Sequence, residues 1–464
     1  MNNWLPKMTF SGGARYLAIA DALARDIRNG ILQPGDKLPT HRDLAWHLGV
    51  TVGTVSRGYA EAERRGLTYG EVGRGTFVLG PLPAYSHSIT PEDQHNDNLI
   101  ALDFAYPPEG AEALELEQTL KHIAGQADMG ALLSYQPHTG MQHHREAGAK
   151  WLKACGLDVS ATDIVLTSGG HHAISVVLAA MARPGDRILC DELTFPGIQS
   201  IARLQGLKTE GIALDSEGMI PAALDEACKN GDAKFLYLVP NCQNPTTRTL
   251  SLHRREALVE VARKHRLSII EDDAFTRMAD GSALPTLYTL APERTYYFSS
   301  LSKSIAPGLR IGYLCGPKGS AGTLAMGVRT TSWMTAPIAA EVATHWIESG
   351  TVDRILKDRI RETKERMDEA VALLEGYTFE YNPVGLYIWL HLPDQWRSQA
   401  FVSAARQNGV LISGSEPFVV GRRVAPHCVR VCIGKASSRE TMRLALQRLR
   451  KTLEQEPEPT HPVF

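Results

Sequence analysis

Lys303 stands between two serines in Ser299-Ser300-Leu301-Ser302-Lys303-Ser304-Ile305-Ala306-Pro307-Gly308-Leu309-Arg310, directly after an apolar strand pattern. A lysine amine can form a Schiff base with an aldehyde, while the hydroxyls of Ser300 and Ser302 and the guanidinium of Arg310 can hold a phosphate. These are the requirements of a pyridoxal 5'-phosphate (PLP) site. Taken alone, the segment is weak evidence, and an exposed loop lysine is the favoured reading. The order of residues upstream decides between the two.

Asp163-Ile-Val-Leu-Thr167 reads as a short strand running into Ser168-Gly169-Gly170-His171 and then a helical pattern, Ala173-Ile174-Val177-Leu178-Met181. Such a turn aims free backbone N–H groups and a helix dipole at an anion. Phe195, before Pro196-Gly197, offers a ring that can stack on a planar pyridine. A second strand, Phe235 to Pro240, opens into Asn241-Cys242-Gln243-Asn244-Pro245-Thr246-Thr247, where Asn244 is a neutral donor suited to a phenolate oxygen. A third, Leu267 to Ile270, ends in Glu271-Asp272-Asp273-Ala274-Phe275. An acid at the carboxyl end of a buried strand needs a cationic partner, and a pyridinium N–H is one.

From about Leu99 onward the chain resembles the fold-type-I, aspartate-aminotransferase-like PLP enzymes. The resemblance implies that Lys303 carries the aldimine, Asp272 faces the pyridine nitrogen, Asn244 faces the cofactor hydroxyl and Phe195 stacks on the ring. It assigns Gly169, Gly170, His171, Ser300, Ser302 and Arg310 to the phosphate cup. Arg430, in Cys428-Val429-Arg430-Val431-Cys432, matches the clamp for a substrate carboxylate, and Tyr135, in Ser134-Tyr135-Gln136-Pro137, the tyrosine that reaches the site across a dimer interface. Three positions depart from the enzyme pattern. Phe275 replaces a tyrosine that donates to the cofactor, Thr247 replaces the glycine of Asn-Pro-Thr-Gly, and His171 replaces the usual Gln or Thr.

The first eighty residues are a separate object. Tyr16 to Asn29 reads as a helix with Ile19, Leu23 and Ile27 on one face and Gly30 as its stop. Thr40-His41-Arg42-Asp43 begins a short helix through Leu48, and a second starts near Thr51. Two short helices joined by a tight turn predict a helix-turn-helix whose second member enters the major groove. Leu67 to Tyr69 and Thr76 to Leu79 predict a two-stranded wing carrying Arg74. The block closely resembles the GntR-type winged helix-turn-helix, with Arg42, Thr51, Thr54, Arg57 and Arg74 the expected DNA contacts. Met1 to Gly80 holds ten Lys and Arg against seven Asp and Glu, a net of +3 in a chain whose total is −2. The basic excess therefore sits where phosphate is expected.

The expected fold class is α/β, a mainly parallel sheet with helices on both faces plus a smaller C-terminal α+β subdomain, preceded by the α+β winged helix. The expected domains are residues 1–80 for DNA binding, 81–98 as a linker, and 99–464 for PLP binding. Pro81, Pro83 and Pro91 among polar residues leave the linker without an apolar period. No run of about 18 apolar residues occurs, and the N-terminus lacks a signal h-region, so neither membrane nor export is expected. Seven cysteines without a framework spacing fit reduced thiols in a cytoplasm. No metal is expected, because the pairs His143-His144 and His171-His172 lack a neighbouring Cys or carboxylate that completes a ligand set.

Together the parts identify the chain as similar to the MocR subgroup of GntR regulators. That resemblance implies a homodimeric transcription factor on double-stranded operator DNA, sensing a small amino compound whose amine displaces Lys303 from its aldimine. Two other readings stay open: an active aminotransferase with an accessory DNA-binding domain, and a regulator sensing PLP itself, for which Arg430 is idle.

Overall fold

A computed structural model of the chain describes residues 4–6, 15–29, 31–32, 36–64, 67–71, 75–78, 99–126, 128–278, 284–421 and 423–456. The expected linker and Arg74 lie outside these residues. The chain divides into two compact units, Met1–Ser88 and Ile89–Phe464.

The first unit is built from helices α1 (Arg15–Arg28), α2 (His41–Leu48) and α3 (Val52–Arg64), followed by strands β1 (Thr68–Glu71) and β2 (Gly75–Val78), which pair antiparallel. Thr40 caps α2 by accepting from the backbone N–H of Asp43 at 3.2 Å, and Thr51 caps the start of α3 by accepting from Thr54 N at 3.2 Å. The helical periodicity places Ile19, Leu23, Leu44, Val55 and Tyr59 in one core with Val78 of the wing. This is the helix-turn-helix with a two-stranded wing that the sequence predicts.

The second unit is centred on a seven-stranded sheet. Its strands are β3 (Ile164–Thr167), β4 (Arg187–Asp191), β5 (Lys208–Ile212), β6 (Ala233–Leu238), β7 (Ser268–Asp272), β8 (Thr295–Ser300) and β9 (Gly312–Cys315), in the order β3-β9-β8-β7-β6-β4-β5. All neighbours pair parallel except β9, which runs antiparallel to both β8 and β3. Strands buried on both faces read as continuous apolar runs, and helices cover them on each side. On one face Ile174, Val177 and Leu178 pack on Ile188 and Phe235; on the other Leu258 and Val259 pack on Leu189, Leu236 and Ile269. Each such side chain, fully buried, contributes about 1.5–3 kcal/mol.

Four helices of this unit matter for the sites below: α4 (Gln142–Ala154), α5 (Gly170–Met181), α6 (Pro196–Leu204) and α7 (Pro337–Glu348). A smaller antiparallel sheet follows them, with β10 (Phe379–Tyr381), β11 (Tyr387–His391), β12 (Ser413–Gly414) and β13 (Cys428–Cys432) in the order β10-β11-β13-β12. Strand alternation sends Val429 and Val431 of β13 into the core shared with Phe401 and Leu446, which leaves Arg430 on the opposite face. No helix among the described residues is long and apolar enough to cross a membrane.

Candidate functional site

The carboxyl ends of β3, β6, β7 and β8 lie on one edge of the large sheet, where an open α/β sheet binds its ligand. Asp272, the last residue of β7, is buried and accepts a hydrogen bond from the Tyr237 hydroxyl at 2.6 Å. Burial pushes its carboxyl up to about 6, the Tyr237 hydroxyl pulls it down, Asp273 raises it and Lys303 lowers it. Lys303 Nζ donates to the carbonyl oxygen of Ala105 at 2.7 Å. Its ammonium is held down to about 8, first by desolvation and then by Arg430. Lys303 and Asp272 thus act on one another electrostatically, although no ion pair links them among the described residues.

The expected phosphate cup is assembled by three elements. Gly169 caps α5 at φ 86, a conformation that L side chains rarely adopt, and a Cβ there would lie 2.7 Å from Arg310 Nη2. The guanidinium of Arg310 donates to Ser168 O at 3.1 Å and to Ser302 Oγ at 3.4 Å, which ties the β3 turn to the loop after β8. Ser300, the last residue of β8, is buried. The His171 imidazole is held below its ordinary value by desolvation and then by Arg310, so it offers a neutral N–H. His172 is pushed down to about 4 by burial, His171 and Arg310; its Nδ1 accepts from Ser168 N at 2.8 Å and its Nε2 contacts Thr331 Oγ1 at 2.7 Å. The Phe195 ring stands edge-on to His171, with centroids 6.2 Å apart. A Cβ on Gly197 would reach 2.1 Å from the Phe195 ring, so the glycine is what lets the ring sit there.

Arg430 is buried, and its guanidinium meets oxygen atoms without an anion. Nη1 donates to Asn244 Oδ1 at 2.9 Å, and Nη2 donates to Asp103 O at 2.7 Å. Its Nε is buried without a hydrogen-bond partner, and no carboxylate pairs with it among the described residues. Phe418 and Tyr387 flank it, with ring centroids 4.9 and 5.4 Å away. These rings offset part of the desolvation that a buried cation suffers.

The three departures from the enzyme pattern have structural readings. Phe275 is buried and packs edge-on against Tyr387 at 5.8 Å, and Tyr387 spends its hydroxyl on Cys242 O at 2.8 Å. Thr247 takes φ 65, where a β-branched residue carries about 1–3 kcal/mol of strain. The turn that holds it is closed by Gln243, whose carbonyl accepts from Thr247 N at 2.6 Å and whose Oε1 accepts from Thr246 N at 2.9 Å. His171 is accounted for above as a neutral donor.

Tyr135 is 83% exposed and rests on Trp333, with ring centroids 5.9 Å apart. In the first unit Arg42 and Arg57 are exposed and make no ion pair among the described residues, while Thr51 and Thr54 share a hydroxyl contact of 2.9 Å. Sequence reasoning missed Tyr237, the backbone carbonyls of Asp103 and Ala105, and the ring pair around Arg430. Only Tyr237 had a visible signal, a tyrosine in an aliphatic strand that neighbours the strand ending in Asp272. The expectation that no carboxylate joins His143 and His144 is corrected, because Glu341 of α7 contacts both. Its distance in sequence hid it.

The residues present suit PLP by their chemistry: an amine, a buried carboxylate short of a cation, a glycine turn at a helix N-terminus with an arginine over it, and a ring held on a glycine. Comparison with known proteins gives the same answer. Residues 98–449 match the model of aminotransferase class I and II, and residues 15–78 match that of bacterial regulatory proteins, gntR family. The uncharacterized HTH-type transcriptional regulator YdeF of Bacillus subtilis (strain 168) is 31% identical over 452 residues, covering 97% of each chain. The HTH-type pyridoxine biosynthesis transcriptional regulator PdxR of Corynebacterium glutamicum is 28% identical over 66% of this chain and 67% of its own. Among solved structures, a Pyrococcus horikoshii kynurenine aminotransferase in complex with PMP aligns with a TM-score of 0.71 at 25% identity, over 77% of this chain and 91% of that one. PLP is the cofactor of this fold. The chain therefore belongs to the MocR-type GntR regulators, in which a helix-turn-helix domain is joined to a domain of the aminotransferase class I and II family.

Proposed function

We propose that this protein is a PLP-dependent transcriptional regulator of the cytoplasm that senses a small amino compound bearing a carboxylate, through exchange of the ligand amine for that of Lys303. When bound, PLP supplies an aldehyde carbon that links reversibly to one primary amine at a time. The observation that carries the reading is Arg430, a buried guanidinium with an unpartnered Nε and no carboxylate in salt-bridge contact among the described residues, the Asp103 carboxyl acting on it only at longer range. Its planar fork matches a carboxylate, and a ligand that provides one relieves a costly burial. In the cofactor-free chain Lys303, held down to about 8, keeps about a tenth of its amine neutral at pH 7 and so able to attack an aldehyde. Asp272 supplies the counter-charge for a protonated pyridine, and Asn244 a donor for its hydroxyl.

Exposed Tyr135 supports a homodimer in which it reaches the site of the second copy, and a two-fold pair of reader domains suits paired operator half-sites. The test is a titration of amino acids against their decarboxylated amines, following cofactor absorption and operator affinity together. The acid should act at the lower concentration, and both signals should share a midpoint. Equal midpoints for acid and amine overturn the carboxylate; a cofactor response without any change in operator affinity overturns the sensor. Sustained turnover with a keto acid would favour the aminotransferase reading.

A further inference from the structure

Away from the cofactor edge, α4 and α7 bring three metal-ligating side chains to one point. His143 Nε2 lies 2.9 Å from Glu341 Oε2, and His144 Nε2 lies 3.0 Å from the same oxygen. One ligand atom from each of the three falls within 4.8 Å of the others. Among the described residues these side chains hydrogen-bond only to one another. Among the described residues no lysine or arginine pairs with Glu341; its hydrogen-bond partners are the two imidazoles, and the His345 ring also feels its charge. His144 is 1% exposed and its Nδ1 is buried without a partner, so nothing on the far side of the ring fixes which nitrogen carries the proton. Glu341 and His143 are 22% and 48% exposed, which gives a cation and its waters a way in.

We propose that His143, His144 and Glu341 form a binding site for a divalent transition-metal cation. Two neutral imidazole nitrogens and one carboxylate oxygen are the donor set of Zn2+, Co2+ or Ni2+ rather than of Mg2+ or Ca2+, which prefer all-oxygen shells. The net charge of the three groups is −1, and a divalent ion replaces the shared hydrogen bonds with stronger attraction. Three protein ligands leave further positions for water. The ion joins α4 to α7, whose preceding segments already hold each other: His138 Nδ1 contacts Trp333 O at 2.7 Å, and Gln136 N donates to the Met334 sulfur at 3.2 Å. Binding therefore stiffens the joint beside Tyr135. The inference is independent of what the cofactor site senses.

The experiment uses full-length holoprotein without an affinity tag, freed of metal by chelator and titrated with Zn2+ in a calorimeter and with Co2+ in a spectrophotometer. One ion per chain should bind, with visible d–d bands for Co2+, and the ion should raise thermal stability. His143→Ala, at an exposed position, and Glu341→Gln, which keeps its shape, should each weaken binding by tenfold or more. The absorption of the bound cofactor should be unchanged in both variants. Absence of one-to-one binding, or an affinity that both substitutions leave within tenfold of the parent, overturns the site.

Discussion

Arg430 Nη1 donates to the side-chain oxygen of Asn244 at 2.9 Å, so the expected carboxylate clamp and the expected partner of the cofactor hydroxyl hold each other directly. A guanidinium has only donors, which fixes the orientation of the Asn244 amide: its oxygen faces Arg430 and its NH2 is turned away. That leaves the NH2 as the donor a phenolate oxygen needs. One hydrogen bond therefore orients two recognition groups.

The Arg430–Asn244 bond predicts separable effects. Arg430→Ala should raise the apparent dissociation constant of an amino-acid ligand by tenfold or more, about 1.4 kcal/mol, and shift the absorption of the ligand-free holoprotein less than loss of the Asn244 amide itself does. Asn244→Ala should alter that absorption. The double variant should show less than the sum of the two losses in ligand affinity, because the residues are in contact. Additive losses would show that the bond does not orient the site.

Lys303 predicts both a chemical map and a pH profile. Borohydride reduction of the holoprotein followed by peptide mapping should find PLP on Lys303, and Lys303→Ala should lose that covalent link. In the cofactor-free chain the neutral amine is the nucleophile, so the rate of PLP capture should rise with pH and level off above about 8. A rate still climbing toward the ordinary lysine value near 10.5 would mean the amine is not desolvated.

Asp272 predicts a stability difference of known sign. Its carboxyl is raised from 3.8 to about 6, so between these values the folded cofactor-free chain binds more protons than the unfolded one and loses stability as pH rises. At pH 7 the penalty is about 3 kcal/mol. Asp272→Asn, which can still accept from Tyr237, should therefore stabilise the effector domain without cofactor at pH 7, with the gain vanishing below pH 4. Denaturant midpoints at the two pH values measure it. The same variant should retain PLP poorly, because the pyridinium loses its counter-charge.

The reader domain predicts two classes of variant. Arg42→Ala and Arg57→Ala should weaken operator binding and each reduce the salt slope by about one, without loss of fold. Thr51→Ala removes the α3 cap and should destabilise the domain by about 1 kcal/mol, so its effect on DNA is read only after thermal stability is known. Unchanged operator binding for alanine variants at Arg42, Thr51, Thr54, Arg57 and Arg74 would exclude this face as the reader.

The strands that end in Thr167, Asp272 and Ser300 were legible because apolar runs terminate in polar motifs, and local signals of that kind survive without tertiary context. The helix starts at Thr40 and near Thr51 were legible for the same reason. Sheet order was not: nothing local in Gly312–Cys315 states that it inserts antiparallel between β8 and β3. Backbone acceptors are also silent in a sequence, so the carbonyls of Asp103 and Ala105 left no trace. Glu341 could not be paired with His143 across 198 residues by spacing alone.

Those two carbonyls have a mechanical consequence. Asp103 O accepts from Arg430 at 2.7 Å and from Ser413 Oγ at 2.8 Å, while Ala105 O, two residues on, accepts from Lys303 at 2.7 Å. Anything that draws both cations toward itself strips two charge-assisted hydrogen bonds, each about 1.5–3 kcal/mol, from one short stretch of backbone. Its remaining anchors include Ser413, the ladder of Ile100 and Ala101 with Val410 and Leu411, the backbone bonds of Leu102 with Leu411 and Cys432, and the ion pair of Asp103 with Lys435. In sequence this stretch lies near the start of the second unit, Ile89–Phe464. Occupancy of the pocket is thereby written into a few peptide groups near the start of that unit.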